Sequence, residues 1–199
     1  MLVGVIGLLF LTRGTAVRRV RAVGADGAPV SPDEADFPLT VSLLTGTNLL
    51  PGNQVEIVLD GGVFPRLWDD LRNAKNSIVL QMYYSLQGKV TETLASILIE
   101  RARAGVGVYF LYDAFGSSAL RGAYADRLRK AGVQILPFRP LRFRNLWVVQ
   151  NRAHIRSAII DGETGWTGGF GFDDKWLGEF RAGTGWRDIS VRIKGSAVL

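Results

Sequence analysis

Apolar residues recur along the chain with two spacings, which predict strands and helices in turn. Short apolar or β-branched runs are typical of buried strands, and they occur at 55–59, 78–84, 106–112, 133–136, 157–161 and 189–193. Between them, helical spacing predicts helices over 65–76, around Leu94 to Arg101, and over 118–131. Thr91 is a candidate N-cap of the second helix, and Gly105 follows its last turn. The alternation predicts an α/β sandwich with a mixed, largely parallel central sheet.

The first 36 residues do not share this pattern. Residues 1–11 (MLVGVIGLLFL) are almost wholly apolar, and arginines follow them. A helix that crosses a bilayer needs about 20 apolar residues, so this run is either the end of a transmembrane helix or a short interfacial anchor. If it inserts, the arginines favour a cytoplasmic location for the remainder of the chain. We interpret residues 1–23 as a membrane-proximal segment, 24–36 as a linker and 37–199 as the folded domain.

Composition narrows the chemistry that the domain can perform. Hydrophobic residues make up 47% and charged residues 21% of the 199, as in ordinary globular proteins. The lack of cysteine excludes disulfides, thiolate catalysis and cysteine zinc sites, and the single histidine argues against a histidine-rich metal site. A net charge of +6 favours anionic partners, namely phospholipid headgroups, nucleic acid or phosphorylated small molecules.

The single histidine begins the segment with the clearest chemical content. His154 and Arg156 are two residues apart, so on an extended chain their side chains project to the same face. An apolar strand follows, Asp161 ends it at a turn, and Gly168 and Gly169 come after the turn. A histidine beside a fixed cation and near flexible backbone amides suits an anionic phosphoryl substrate, with the histidine as nucleophile or general acid.

This segment resembles the HxKxxxxD motif of the phospholipase D superfamily and the Gly-Gly turn that trails it. Further segments resemble bacterial cardiolipin synthases in the right order: 64–84 (FPRLWDDLRNAKNSIVLQMYY), 111–117 (LYDAFGS), 186–188 (WRD) and 191–195 (VRIKG). The resemblance runs from about Leu49 to Leu199 and is closest to the N-terminal half of these synthases. It implies an αβα sandwich that forms one half of a two-motif architecture.

The resemblance also implies roles for individual residues. In the family, one motif histidine attacks phosphorus and forms a phosphohistidine, while the histidine of a second motif protonates the leaving oxygen. His154 would be nucleophile or general acid, Arg156 would hold the phosphate, and Asp161 would orient and charge-balance the site. The candidate substrate-binding residues are Gly168, Gly169, Asp113 and Ser117. No metal and no cofactor is expected.

Three residues depart from the family pattern. Arg156 replaces the motif lysine with a planar guanidinium. Gly171 stands where the pattern Gly-Gly-x-Asn supplies an asparagine, and Gln81 stands where relatives commonly carry a glutamate. The chain also holds one motif where the family uses two. The site would be completed by a second copy of this chain or by the second half of a longer enzyme, and the N-terminal match favours the latter.

Two other stretches attract attention. Residues 138–152 (FRPLRFRNLWVVQNR) interleave arginines with aromatic residues, which suits a membrane interface, a single-stranded nucleic acid or a solvated loop. The glycine-rich stretch 165–171 lacks the spacing of nucleotide-binding loops. Asp173 and Asp174 are predicted to start a helix, with Trp176 as a core or interface residue.

Three functions are compatible with the sequence. The first is a cardiolipin synthase-like phosphatidyltransferase, which transfers a phosphatidyl group between phosphatidylglycerol-type lipids at the cytoplasmic face of a bacterial inner membrane. The second is a nuclease of the same superfamily that acts as a homodimer. The third is a degenerate phosphate- or lipid-binding module, which Arg156 and Gly171 would support.

Overall fold

The computed structural model describes residues 30–140, 152–178, 183 and 185–198. The predicted membrane-proximal segment, 1–23, lies outside the described residues, as does most of the basic and aromatic stretch 138–152. The chain divides into two compact units, Met1–Leu49 and Leu50–Leu199. In its described part, the first unit has a helix, α1 (Phe37–Thr45). Within the described ranges, no helix has both the length and the apolar character that a membrane span requires.

The second unit alternates strands with helices in its described part. The strands are β1 (Gln54–Leu59), β2 (Ser77–Met82), β3 (Gly107–Asp113), β4 (Gln134–Phe138), β5 (Ser157–Ile160), β6 (Thr164–Gly168) and β7 (Ile189–Lys194). The helices are α2 (Val63–Arg72), α3 (Lys89–Arg103) and α4 (Ala123–Lys130). The predicted strands and helices are therefore present with shifted ends. β6 is additional, because its glycine-rich sequence TGWTG gives no strand signal.

The strands form one sheet in the order β1-β7-β6-β5-β2-β3-β4. Only the β2–β3 and β3–β4 pairs are parallel, and the other four neighbouring pairs are antiparallel. The prediction of a largely parallel sheet is therefore wrong. Parallel pairing needs crossover connections, and among the described residues helices supply them from β2 to β3 and from β3 to β4. β5 and β6 are joined by a tight turn in which Asp161 and Gly162 both have positive φ (55° and 70°), as a type I′ hairpin requires.

One face of the sheet carries the core. Alternate residues of the central strands, including Leu80 and Phe110, are buried against apolar residues of the helices, including Leu67, Leu94 and Leu128. The opposite face has a row of apolar side chains that are exposed among the described residues, namely Val55, Ile57, Leu59, Val79, Tyr109, Leu136 and Ile189. The helices α2, α3 and α4 of the second unit thus form one layer on one side of the sheet.

The start of α3 differs from the prediction. Gly88 is the N-cap residue, and Thr91 lies inside the helix, where its hydroxyl donates to the carbonyls of Leu86 and Gly88. The first two amides of the helix, Lys89 and Val90, donate to the carboxylate of Asp174, at 2.9 Å each. The capping group therefore comes from a residue distant in sequence, which local patterning cannot reveal.

Strand register determines where the candidate site lies. Gln81 of β2 pairs with Ser157 of β5, Ser157 pairs with Thr167 of β6, and Gly168 pairs with Ser190 of β7. The carboxyl ends of β2 and β6 and the first residues of β5 and β7 therefore meet at one end of the sheet.

Candidate active site

His154 and Arg156 lie together at this end of the sheet, just before β5. The imidazole of His154 is exposed and its ring centroid is 4.3 Å from the ring of Tyr83, which follows β2. Nη2 of Arg156 lies 3.4 Å from Nε2 of His154. Because a guanidinium can only donate, Nε2 can take part in a hydrogen bond here only as the acceptor. The arrangement places Nε2 of the imidazole beside a fixed positive charge.

Arg156 has unused hydrogen-bonding capacity. The hydroxyl of Thr167 donates to its carbonyl oxygen at 3.0 Å, which ties this residue to β6. Its guanidinium carbon lies 5.7 Å from the centroid of the Tyr83 ring. Nε of Arg156 is buried and has no hydrogen-bond partner among the described residues. A buried donor without a partner is costly, so an anion that accepts from it would be bound favourably.

Asp188 is a carboxylate of the site that the sequence reasoning did not select. It precedes β7, where the hydroxyl of Ser190 donates to it at 3.1 Å. Burial raises the pKa of Asp188 above its ordinary value, while hydrogen bonds from Ser190 and from the amides of Ile189 and Gly169, with the charge of Arg156, partly offset this effect. The signal that could have found it is its position in the WRD segment, directly before a strand.

Gly168 and Gly169 allow β6 and β7 to approach closely. A Cβ at Gly168 would lie 2.8 Å from Oγ and 2.9 Å from Cα of Ser190. A Cβ at Gly169 would collide with the carboxylate of Asp188. The lack of a side chain at both positions therefore allows close packing against β7 and Asp188 within the protein, and contact of these glycines with substrate stays a prediction.

An open cavity of about 440 Å³ lies beside the histidine. Arg156, Gly169 and Asp188 contribute to its wall, together with Tyr83, whose ring contacts His154. The remaining lining residues are Tyr84, Lys175, Trp176, Trp186 and Arg187. Cationic and aromatic side chains therefore dominate the lining, which suits an anionic group attached to an apolar or polyol body.

Asp113 and Ser117 lie behind this surface and are almost fully buried. One oxygen of Asp113 accepts from the amides of Phe115 and Gly116, and the other accepts from the amide of Ala153 at 3.2 Å. The hydroxyl of Ser117 donates to the carbonyl of Tyr83 at 2.9 Å. In this structure both predicted binding residues hold the backbone that carries His154 and Tyr83, and contact with substrate stays a prediction.

Asp161 lies at the opposite end of β5 from His154. Its carboxylate accepts from the amides of Lys75, Asn76 and Ser77 at 2.9, 2.7 and 2.8 Å. Partial burial alone would raise the pKa of Asp161, but these three hydrogen bonds and the charge of Lys75 lower it below its ordinary value. At about 3.3 Å per residue along a strand, the structure separates Asp161 from Arg156 by roughly 15 Å. The structure thus brings His154 and Arg156 together but leaves Asp161 apart from them.

Gly171 and the residues after it pack behind the cavity. A Cβ at Gly171 would lie 2.9 Å from the carbonyl oxygen of Tyr84 and 3.1 Å from the indole of Trp176. Asp173 accepts from the amide of Lys175 and begins a 3-10 turn, and Trp176 is buried in the core. The prediction of a core tryptophan is confirmed, whereas the helix predicted to start at the aspartates is a single three-residue 3-10 turn, Asp174–Trp176.

Comparison with known proteins agrees with this arrangement. Residues 67–181 match the family described as cardiolipin synthase, PLD-like domain. A cardiolipin synthase of Oceanobacillus iheyensis is 39% identical over 147 residues, which covers 73% of this chain and 31% of that protein. The major cardiolipin synthase ClsA of Bacillus subtilis is 38% identical over 148 residues, again covering 73% and 31%. The chain therefore spans about a third of the length of these curated relatives.

Solved structures share the fold. The phospholipase D family member Nuc of Salmonella typhimurium has a TM-score of 0.52 at 17% identity, over 72% of this chain and 84% of that chain. The phosphatidylserine synthase of Haemophilus influenzae has a TM-score of 0.55 at 16% identity, over 72% of this chain and 33% of that chain. These likenesses concern architecture alone, and they agree with the superfamily resemblance of the sequence. Since the matched segment 67–181 is more than half of the 199 residues, the chain belongs to the family of cardiolipin synthase PLD-like domains.

Proposed function

We propose that this chain is one half of a cardiolipin synthase-type phosphatidyltransferase, with His154 as the nucleophile toward a lipid phosphodiester. The observation that carries the proposal is the contact of Arg156 with Nε2 of His154, beside a cavity with a cationic and aromatic lining. The contact places Nε2 of His154 beside the guanidinium, and a phosphate oxygen that accepts from Arg156 would take over this donor and leave the Nε2 lone pair free for attack. Nε of Arg156, which has no partner among the described residues, supplies a further donor for a phosphate oxygen.

The reaction has two balanced steps. First, Nε2 of His154 attacks phosphorus, an N–P bond forms, and the bond to the glycerol oxygen of the first lipid breaks. The released glycerol takes its proton from an acid that the second motif supplies. In the second step, the hydroxyl of a second phosphatidylglycerol-type lipid attacks phosphorus, the N–P bond breaks, and the proton of that hydroxyl returns to the same group. Arg156 offsets the negative charge that develops on the phosphate oxygens in both steps.

We propose that a second motif, outside these 199 residues, completes the site. The chain covers 31% of the length of its curated cardiolipin synthase relatives, which leaves room in them for a second domain of similar size. We propose such a half, or a second copy of this chain, as the partner that completes the site. In either case His154 contributes the nucleophile and the partner contributes the proton donor.

We also propose that the site faces a membrane surface. Four apolar side chains around it are 43–64% exposed among the described residues: Phe115, Ile155, Leu177 and Trp186. Phe115 follows β3, Ile155 lies between His154 and Arg156, and Trp186 lies close before Asp188. An apolar rim around a cationic cavity fits a lipid whose headgroup enters the cavity while its acyl chains stay in the bilayer.

The test uses a substrate that does not need the partner's proton donor. A short-chain phosphatidyl p-nitrophenol carries a leaving group that departs as a stable anion, so this chain alone can release one equivalent of p-nitrophenolate. We expect a stoichiometric burst and a phosphatidyl adduct on His154, found by mass spectrometry, with neither in His154→Ala. Absence of the burst in the folded protein, or an unchanged burst in His154→Ala, would contradict the proposal. Cleavage of DNA that depends on His154, without lipid turnover, would identify a nuclease instead.

A further inference from the structure

The cavity contains a second cation that the proposed mechanism does not use. Nζ of Lys175 lies 4.2 Å from the ring centroid of Tyr84, 4.8 Å from that of Trp176 and 4.1 Å from that of Trp186. It also donates to the hydroxyl of Tyr84 at 2.9 Å. Lys175 is therefore held by three aromatic rings in the wall of the same cavity that Arg156 lines.

The rings fix the ammonium without using up its donors. An ammonium group has three N–H bonds, and an aromatic face attracts its charge without accepting a full hydrogen bond. Tyr84 accepts one donor, and among the described residues the nearest carboxylate oxygen, on Asp173, is 3.5 Å away. The side chain of Lys175 is 26% exposed, so solvent or a ligand can reach it.

Arg192 is a useful comparison, because it also contacts an aromatic ring but its charge is matched by a carboxylate. Its guanidinium also contacts an aromatic ring, that of Trp166, at 5.8 Å. However, two of its nitrogens donate to Asp70 at 2.6 and 2.7 Å, so its charge is matched by a bidentate carboxylate. Within the part of the chain that the structure describes, the carboxylate contact of Lys175 is the longer one with Asp173, and Lys175 lines a cavity.

We propose that Lys175 binds the phosphodiester of the acceptor lipid while Arg156 holds the phosphate that is transferred. The inference rests on the proposed function and adds the acceptor to it. In transfer between two phosphatidylglycerol-type lipids, the attacking hydroxyl belongs to a glycerol that carries its own phosphodiester. Such an acceptor has a negative charge three carbons from the attacking oxygen, whereas water and free glycerol have none. A second fixed cation in one cavity therefore favours transfer to a phosphate-bearing alcohol over hydrolysis.

Trp176 and Trp186 make binding measurable without turnover, because ligand at Lys175 changes their surroundings and fluorescence. The chain is titrated with glycerol 3-phosphate, inorganic phosphate, short-chain phosphatidylglycerol and glycerol. We expect glycerol 3-phosphate and short-chain phosphatidylglycerol to bind. Lys175→Met should raise the Kd of both about tenfold, which corresponds to the loss of one charge-assisted hydrogen bond. Lys175→Arg should recover part of the loss. Lys130→Met, which removes an exposed lysine at the end of α4, should change nothing. Equal binding of glycerol, or tighter binding of inorganic phosphate than of either glycerol phosphate, would overturn the acceptor assignment.

Acceptor choice gives a second readout in the assembled enzyme with its partner half. Lys175→Met should lower the ratio of transfer to phosphatidylglycerol over hydrolysis, and this ratio does not depend on the rate of the first step. Lys130→Met, which lies outside the cavity, should leave both this ratio and the p-nitrophenolate burst unchanged. If the burst occurs and Lys175→Met leaves both binding and acceptor choice unchanged, this inference is wrong and the proposed function stands. If the burst fails but binding depends on Lys175, the proposed function fails while the anion site remains.

Discussion

The two ends of β5 carry the two ends of one sequence motif, yet their chemistry differs. At the Asp161 end, one carboxylate accepts from three consecutive backbone amides, and these bonds lower its pKa. At the His154 end, the imidazole is exposed, its contact with Arg156 is 3.4 Å long, and Arg156 keeps a buried donor without a partner among the described residues. The two ends of the motif therefore have different roles. Asp161 stabilises the fold through hydrogen bonds to backbone amides, whereas Arg156 has a donor that a ligand can use.

The largest expected difference between the two ends concerns activity. His154→Ala should reduce the p-nitrophenolate burst by at least about a thousandfold, because the nucleophile is removed. It should change the free energy of unfolding by less than about 0.5 kcal/mol, since His154 is exposed. Rapid-mixing absorbance and urea denaturation measure the two effects. If His154→Ala lowered the free energy of unfolding by as much as is expected for Asp161→Ala, the two ends of β5 would not differ as described.

The next effect is on stability. Asp161→Ala should lower the free energy of unfolding by about 2–4 kcal/mol, because three amides lose their acceptor and alanine is strained at a φ of 55°. Asp161→Asn is the matched control, because asparagine tolerates this φ and keeps one acceptor oxygen. It should lose less than half as much in urea denaturation. If both variants have the same free energy of unfolding as the wild type, the three hydrogen bonds do not stabilise the contact between β5 and β2.

An intermediate effect is expected at the glycine that touches the carboxylate of the site. Gly169→Ala should slow the p-nitrophenolate burst about tenfold, because the new Cβ pushes the Asp188 carboxylate away from its position near Arg156. Gly162→Ala, at the hairpin turn of the Asp161 end, should instead lower stability and spare the burst per folded molecule. The burst rate and urea denaturation of both variants check the contrast. The reverse pattern would contradict it.

The smallest effect is a difference in pH dependence. The folded-state pKa of Asp161 is lowered, so its stabilising contribution is present above its unfolded pKa, near 3.8, and is lost as the pH falls through the folded value. The pKa of Asp188 is raised, so its contribution declines as the pH rises from 3.8 through its folded value. Asp161→Asn should therefore reduce the dependence of the free energy of unfolding on pH below pH 3.8, and Asp188→Asn should reduce it above pH 3.8. Urea denaturation at a series of pH values measures both effects. The prediction is contradicted if both variants change the pH dependence in the same direction.

Sequence reasoning recovers elements whose signal is local. The runs at β2, β3 and β5 are apolar and bounded by turn residues, so they are predictable from patterning. The spacing of His154 and Arg156 likewise predicts that they share a face, and the contact between them confirms it. β6 escapes detection because its glycines carry no strand propensity, although its tryptophan is fully buried.

Features that depend on tertiary contacts could not be predicted. The sheet is mostly antiparallel because β5, β6 and β7 add to it as a meander, a pairing choice that no single segment encodes. Asp174 caps α3, and Asp161 accepts hydrogen bonds from the residues at the start of β2. In both cases the partners are more than eighty residues apart in the sequence. Asp188 lies in the site because β7, which it precedes, pairs with β6, and because its carboxylate accepts from the amide of Gly169. Asp161 lies apart from His154 because β5 lies between them. The spacing of the two residues in the sequence does not reveal that their roles differ.

The packing around Gly171 restricts which residues this position can accept. A Cβ here would meet the Tyr84 carbonyl and the Trp176 indole at about 3 Å, so an asparagine fits only if the Tyr84 backbone and the Trp176 ring both shift. Trp176 also contacts the ammonium of Lys175, so such a shift would disturb the three rings around that lysine. An engineer who introduces asparagine at this position must therefore redesign the cavity wall together with it.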